Sequence, residues 1–442
     1  MKKKILSLKK IMKRKFVRNV ITLASGTALA QIITLLCSPL ITRLYGPEAF
    51  GLLGTFNSFL IILSTSITLT YSYAIVLPKK DEEAKAIAKL SLYIGLFLTI
   101  IIASVLALFG REIFEILNLQ VLYSYMYLIP VVLLFTAGRQ VAEQWLIRKK
   151  EFSFTAKISV FQSLILNFSK IAGGIVSPVG STLIIIASLG QGIQMGLLMW
   201  GSSNTYFLKK RLSNSEQRYK KSVISLFMIG KRYLDFPLYR APQVLLAAIT
   251  QSMPVLLLSA FFGTISSGYY TLGITVLGLP SQIIGKAVGD VFYPRIAEAV
   301  QRKENIKNIL LKATLLLALI GLIPFGLVIL LGPILFSFVF GAEWEVAGIY
   351  ASWIALWSYA LFVSNPSIKT LSVISAQRFY LLYTILNTLL RGGTLLIGGL
   401  IFKSDILAVA LFSISGAILS VVLTLVTISK SSNYYGEKNT DM

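Results

Sequence analysis

Two apolar runs, Val20 to about Tyr45 and Phe50 to Leu77, are separated only by the turn Arg43-Leu-Tyr-Gly-Pro-Glu-Ala-Phe-Gly51. Each is longer than the roughly 20 residues that a helix rising about 1.5 Å per residue needs to cross a hydrocarbon layer of about 30 Å. Gly46 and Pro47 break the helix between them, since Pro has no N–H for a continuing helix, and Arg43 and Glu48 hold the turn in water. The pair reads as a membrane hairpin, and the rest of the chain repeats its pattern.

The chain has 442 residues, 55% hydrophobic and only 14% charged, which is more apolar surface than a water-soluble core can bury. The mean hydropathy of +0.76 agrees. The runs lack the short alternation of a membrane β-barrel, so the expected spans are helices, which satisfy their own backbone groups in lipid. The formal charge of +24 sits in short basic clusters between apolar runs, which favours a membrane surface over nucleic acid. A single cysteine, Cys37, excludes a disulfide framework, and with no histidine the commonest metal ligand and general base is missing. No metal or cofactor is expected. The basic start and the Ala28-Leu-Ala30 triplet superficially suggest a cleaved signal peptide, but the apolar pattern runs on past the triplet, so an uncleaved first span is expected.

About twelve spans follow. In the first half they run roughly from Val17 to Tyr45, Phe50 to Leu77, Ala84 to Phe109, Tyr123 to Ile147, Phe154 to Val176 and Pro178 to Phe207. In the second they run from Leu234 to Phe262, Ser266 to Tyr293, Ile309 to Leu331, Gly348 to Pro366, Phe379 to Phe402 and Ile406 to Ile428. Alternate loops carry the bases: Lys2 to Arg18, Lys79 and Lys80, Arg148 to Lys150, Lys209 to Lys221, and Arg295 to Lys303. The other set holds little beyond Arg43, Arg111 and Lys403. This asymmetry is expected to place both termini in the cytoplasm.

The halves echo each other. The turn Gly46-Pro-Glu-Ala-Phe-Gly51 is answered by Gly263-Thr-Ile-Ser-Ser-Gly268, and Pro78-Lys79 by Pro294-Arg295. Leu108-Phe-Gly110 is answered by Leu330-Leu-Gly332. Leu166-Asn167, Lys170 and Gly173-Gly174 are answered by Leu386-Asn387, Arg391 and Gly392-Gly393. Four matches in one order indicate a duplication with six spans per copy, so the expected lobes are residues 1–210 and 211–442, joined by a basic linker.

The segments Ser25-Gly-Thr-Ala-Leu-Ala-Gln31, Ser38-Pro-Leu-Ile-Thr-Arg-Leu-Tyr-Gly-Pro-Glu-Ala-Phe-Gly51, Ala74-Ile-Val-Leu-Pro78 and Asp235-Phe-Pro-Leu-Tyr-Arg-Ala-Pro242 resemble the Wzx-type polysaccharide repeat-unit flippases. So do Gly278-Leu-Pro-Ser-Gln282 and Val291-Phe-Tyr-Pro294. These form a branch of the multidrug/oligosaccharidyl-lipid/polysaccharide exporter superfamily. The resemblance implies an all-α protein of two six-helix lobes around a central cavity that opens alternately to each side. It implies a substrate as well: an undecaprenyl-diphosphate-linked oligosaccharide, moved from the cytoplasmic to the outer leaflet for O-antigen, capsule or exopolysaccharide. Membrane lipids and a polysaccharide polymerase machinery are the expected partners, with no enzymatic activity of its own. The rivals are a multidrug/cation antiporter, a lipid II flippase and, from another class, a polysaccharide polymerase or ligase.

Ionisable residues inside spans mark the candidate site, because a charge at the bilayer centre costs from about 3 to more than about 10 kcal/mol unless it faces protein or water. Five are basic (Arg139, Lys170, Arg240, Lys286 and Arg391) against Glu143, Asp235 and Asp290. A positive surplus suits a diphosphate, to which Arg offers a bidentate fork and Lys a point charge. Arg139 with Glu143, and Lys286 with Asp290, stand four apart on one helix face and either neutralise each other or serve a cavity, the acids then being possible coupling-ion sites. Asp235 before Phe236-Pro237 reads as an N-cap; Arg240 and Lys170 either snorkel or face the cavity; Arg391, near mid-span, is expected to face it.

The loop asymmetry is testable. With Cys37 replaced, single cysteines at Glu48 and Ser215 are expected to label from opposite sides with an impermeant thiol reagent; labelling of both from outside overturns the topology.

Overall fold

A computed structural model describes residues 25–212, 226–302, 304–374 and 376–440. Side chains are described within these except at 203–212, 279–291, 293–294, 297, 301, 377 and 433–440. Among the described residues there are twelve long helices and no strand: α1 (Ser25–Leu44), α2 (Pro47–Thr65), α3 (Asp81–Ile116), α4 (Leu128–Lys149), α5 (Phe152–Val176) and α6 (Gly180–Leu212). Then come α7 (Phe236–Phe262), α8 (Thr264–Gln301), α9 (Ile306–Phe340), α10 (Glu345–Val373), α11 (Gln377–Leu400) and α12 (Asp405–Thr440). Ten of them, all but α4 and α8, are long and apolar enough to cross a membrane. In α4 the polar run Arg139, Gln140, Glu143 and Gln144 lowers the average, and those residues have work elsewhere. On α9, Leu319, Ile323, Leu330 and Ile334 lie outward and are two-thirds or more exposed, a hydrocarbon face that water would not tolerate and lipid covers.

The chain divides into two compact units, the first holding the described residues through Tyr45 together with Phe56–Ser252, the second Gly46–Thr55 with the described residues from Met253 onward. Of the three boundaries, one falls in the turn between α1 and α2 and the other two inside helices, α2 and α7. The basic stretch expected to join the lobes lies largely at 213–225, outside the described residues.

In the first unit α1 and α5 run parallel along a seam of small and hydroxyl residues. Gly26 lies against Ala156, Ser163 donates to the Ala30 carbonyl at 2.7 Å, Asn167 donates to Thr34 at 3.1 Å, and Gly174 lies against Leu44 and Tyr45. The second unit repeats the arrangement with α7 and α11, where Gly392 meets Met253 and Gly399 meets Phe261. Likewise α4 runs beside α6 through Gly138 on Met195, as α10 runs beside α12 through Ser364 donating to the Ser420 carbonyl at 3.0 Å. Lipid tails are as apolar as leucine side chains, so close approach at small residues, rather than hydrophobic burial, is what selects these faces.

At one end of the first unit the bases are tied to the start of α3. Arg148 pairs with Asp81 at 3.0 Å and donates to the Ile75 carbonyl at 3.2 Å, Lys149 pairs with Asp81 as well, and Arg232 pairs with Glu83. The loops at 79–80 and 148–150, both in the basic set, therefore meet at the same end.

The sequence predicts one span from Phe50 to Leu77, but α2 stops at Thr65. Leu69 and Thr70 follow at φ 45° and 57°, a left-handed pair, before a short helix at Tyr71–Ala74. A β-branched residue there is strained by about 1–3 kcal/mol. Hydroxyls and amides stabilise the break: Thr70 donates to the Phe236 carbonyl at 2.9 Å, Thr68 to Gln140 at 3.1 Å, and Gln140 to the Ser64 carbonyl at 3.0 Å. The carbonyl of Phe236 belongs to a π-helical turn, Phe236–Arg240, that opens α7.

The two echoing turns meet in the second unit. A Cβ on Gly51 would overlap the Thr264 carbonyl oxygen, and a Cβ on Gly268 would overlap that of Pro47. The same separation along the chain divides Pro47 from Thr264 and Gly51 from Gly268, so the two contacts are mirror partners of one pseudo-symmetric pair. Phe50 then packs edge-on against Trp344, centroids 5.2 Å apart, in a core that includes Tyr350, Phe325 and Phe362. Gly51→Val is therefore expected to lower the melting temperature of the purified protein by several degrees, more than Gly196→Val, whose added Cβ meets nothing within 4 Å; equal melting of the two variants overturns the contact.

Candidate functional site

In the first unit a pocket of about 340 Å³ opens among α2, α4 and α6. Its polar lining is Asn57 and Ser64 from α2, Thr136 and Arg139 from α4, and Ser188 and Gln191 from α6; Phe56, Leu60 and Val132 supply an apolar side. The spacings of three and seven residues put each pair on one helix face. Arg139 donates through Nη1 to Glu143 at 3.3 Å, so the expected pairing across one turn is present. Arg139 Nε, Ser188 Oγ and Gln191 Oε1 are buried with no hydrogen-bond partner. Leaving such a group unsatisfied costs about 1–3 kcal/mol, and three gathered in one pocket form a polar concavity ready for a ligand.

The other cations of the first unit lie elsewhere. Arg240, on the π-turn, is exposed and sits over the Tyr73 ring at 4.3 Å. Lys170 is half-buried on α5, where Tyr45 donates to its carbonyl at 2.9 Å. Neither has a carboxylate within ion-pair distance among the described residues. The capping role expected of Asp235 is not found: its backbone is already helical, at φ −59° and ψ −29°, and its side chain caps nothing. A helix arriving continuously from Leu226–Arg232 through a π-turn leaves no bare N-terminus to cap.

In the second unit Arg391 is 3% exposed. Its guanidinium lies between the rings of Trp357 (α10) and Phe412 (α12), 3.8 Å from each centroid, and against Gly416, where a Cβ would stand 2.9 Å from Nε. Among the described residues Nε and Nη2 have no hydrogen-bond partner and no carboxylate faces the charge. Two stacked rings offset the charge by about 2 kcal/mol or more when desolvated. The side chains of Lys286 and Asp290 lie outside those described, on α8. Among the described residues no cluster of His, Cys, Asp or Glu is placed to hold a metal ion.

The pocket's Ser188, Gln191, Asn57 and Ser64, and the rings around Arg391, were not singled out in the sequence. Ser188 and Gln191, three apart in an otherwise apolar run, carried the only signal; Trp357 and Phe412 read as ordinary lipid-facing or interfacial aromatics.

Comparison with known proteins bears on this architecture. The sequence matches the family described as polysaccharide biosynthesis protein over residues 40–349. The chain belongs to that family. No curated protein matches it by sequence. Its fold is that of MOP-superfamily transporters, as the sequence resemblance implied. An inward-facing multidrug-resistance MATE transporter superposes with a TM-score of 0.69 at 14% identity, covering 91% of this chain and 95% of that one. The lipid II flippase MurJ in an inward closed conformation gives 0.69 at 14%, covering 92% and 87%. A MOP-superfamily transporter from Pyrococcus furiosus, reported to have a binding pocket of reversed polarity, gives 0.61 at 14%, covering 95% of each chain.

The setting of Arg391 separates charge from packing. Replacing a buried charge with an apolar side chain of similar length is often neutral or stabilising, whereas truncation leaves a cavity worth about 2–4 kcal/mol. Arg391→Met is expected to melt at or above the wild-type temperature in detergent and Arg391→Ala several degrees below it; a large loss in Arg391→Met shows that the charge itself is structural.

Proposed function

We propose that this protein is a flippase carrying undecaprenyl-diphosphate-linked oligosaccharide repeat units from the cytoplasmic to the outer leaflet of a bacterial plasma membrane by alternating access, with both termini cytoplasmic and each lobe a copy of six spans. The observation that carries the reading is a set of cations on apolar helices with no acidic partner among the described residues: Lys170, Arg240 and Arg391. Such charges are expensive in lipid and persist where they do work. A cation exporter needs the opposite balance. Family membership gives the polysaccharide context, and the likeness in fold to a lipid II flippase supports the reading.

In this scheme the sugar-diphosphate travels through protein while the prenyl tail stays in the bilayer. That spares the headgroup the cost of losing its water in hydrocarbon. Arg391 is the leading candidate to contact the diphosphate, offering the donors of Nε and Nη2 beside Trp357 and Phe412, and Lys170 is its match in the sequence repeat. Arg139, Arg240 and Lys286 complete the substrate-binding set. Glu143 and Asp290 are the candidates for a coupling ion. An inside-negative potential assists outward movement of the two negative charges by roughly 2.3 kcal/mol per charge per 100 mV.

In proteoliposomes the wild type is expected to move an undecaprenyl-diphosphate saccharide, faster under an imposed inside-negative potential. Arg391→Met is expected to abolish the movement at normal insertion, and Arg391→Lys to recover part of it, since the charge returns without the bidentate fork. A deletion strain that accumulates no inward-facing lipid-linked sugar, or full transport by Arg391→Met, overturns the assignment.

A further inference from the structure

We propose that the pocket among α2, α4 and α6 is a subsite for a neutral, hydroxyl-bearing sugar ring of the transported saccharide. The proposal rests on the flippase reading above and says which part of the substrate this pocket takes.

The unsatisfied atoms define the ligand. Arg139 Nε is a donor, Gln191 Oε1 an acceptor, and Ser188 Oγ both. A phosphate or carboxylate only accepts, so it would satisfy Arg139 while pressing its negative oxygens on the Gln191 carbonyl. Rotating the amide brings its NH₂ forward, but the nearest charge is already spent: Glu143, 3.3 Å from Arg139 Nη1, neutralises the guanidinium. A sugar hydroxyl donates and accepts at once. Neighbouring hydroxyls on a ring supply both the donors and the acceptors that these three atoms lack. Asn57 and Ser64 present further amide and hydroxyl groups from α2.

Shape and polarity agree. Phe56, Leu60 and Val132 give the pocket an apolar wall, and a pyranose ring has apolar C–H faces with polar edges. At about 340 Å³ the pocket lies at the small end of the roughly 300–1,000 Å³ typical of small-molecule sites. That admits a single ring and excludes a long oligosaccharide. Ser188 is 4% exposed, so its hydroxyl is shielded from bulk water and its preference for a ligand is not diluted.

The test uses the full chain in lipid nanodiscs with two kinds of probe, a panel of neutral methyl pyranosides and inorganic pyrophosphate, read by saturation-transfer NMR. At least one pyranoside is expected to bind the wild type. Ser188→Ala, which removes one oxygen and leaves packing intact, and Gln191→Leu are each expected to weaken that binding tenfold or more with the pyrophosphate response unchanged. The proposal is overturned if no pyranoside binds, if Gln191→Leu melts like the wild type and binds pyranoside equally well, or if only the pyrophosphate signal depends on Gln191. Export of lipid-linked sugar, measured on the same wild-type protein, separates the two readings. Normal export without pyranoside binding removes the subsite and keeps the flippase; pyranoside binding without export does the reverse.

Discussion

Every backbone N–H and C=O that enters hydrocarbon must find a partner inside the protein, and this requirement governs what the chain can build. It accounts for the helices, and also for the one place in α2 where the helix fails. Where Ser66 to Thr70 leave the helical path, the side chains that take over are hydroxyls and an amide: Thr68, Thr70 and Gln140. The stretch's own carbonyls accept from Leu69, Tyr71 and Tyr73 N–H, and Leu or Val there would lose the hydroxyl bonds to α4 and α7. The break is therefore legible as chemistry, Ser and Thr competing for backbone partners, and its cost is carried by contact with the π-turn that begins α7.

Packing follows from the same solvent. With lipid outside, burial of leucine gains little, and the contacts that hold helices together are those in which backbones come close. Gly26 on Ala156, Gly398 on Ala408, and the reciprocal pair of Gly51 on Thr264 with Gly268 on Pro47 are all of this kind. Gly263 is a different case, with φ at 85°, a turn that an L side chain resists at the start of α8. The reciprocal pair shows the duplication at atomic level, since each contact implies its partner under exchange of the repeats.

The polar groups within the helices are handled in two ways. In the first unit Arg139 is paired with Glu143 yet opens on a pocket in which three atoms lack partners, a place prepared for something outside the protein. In the second unit Arg391 has no acidic partner among the described residues and is held by two aromatic faces, which stabilise charge without consuming hydrogen-bond donors. Both solutions keep guanidinium donors without a hydrogen-bond partner among the described residues, as the proposed function requires.

The apolar runs alone determined that the chain is helical and spans a membrane in about twelve passes, because run length and backbone satisfaction leave no other solution. The echo of Gly46–Gly51 in Gly263–Gly268 showed the duplication, and glycine spacing pointed to helix contacts, since only glycine permits that approach. The sequence also marked Arg139 and Glu143 as a pair, because a separation of four fixes their face. Tertiary structure alone decided the rest. It broke α2 at Thr65, because that turn's own hydroxyls find their partners on other helices, the Gln140 amide of α4 and the Phe236 carbonyl of α7. It set Arg391 between Trp357 and Phe412, which lie on helices far from it in sequence. It gathered Ser188 and Gln191 with Asn57, Ser64 and Arg139, common residues that acquire meaning only when three helices bring their unsatisfied atoms into one space.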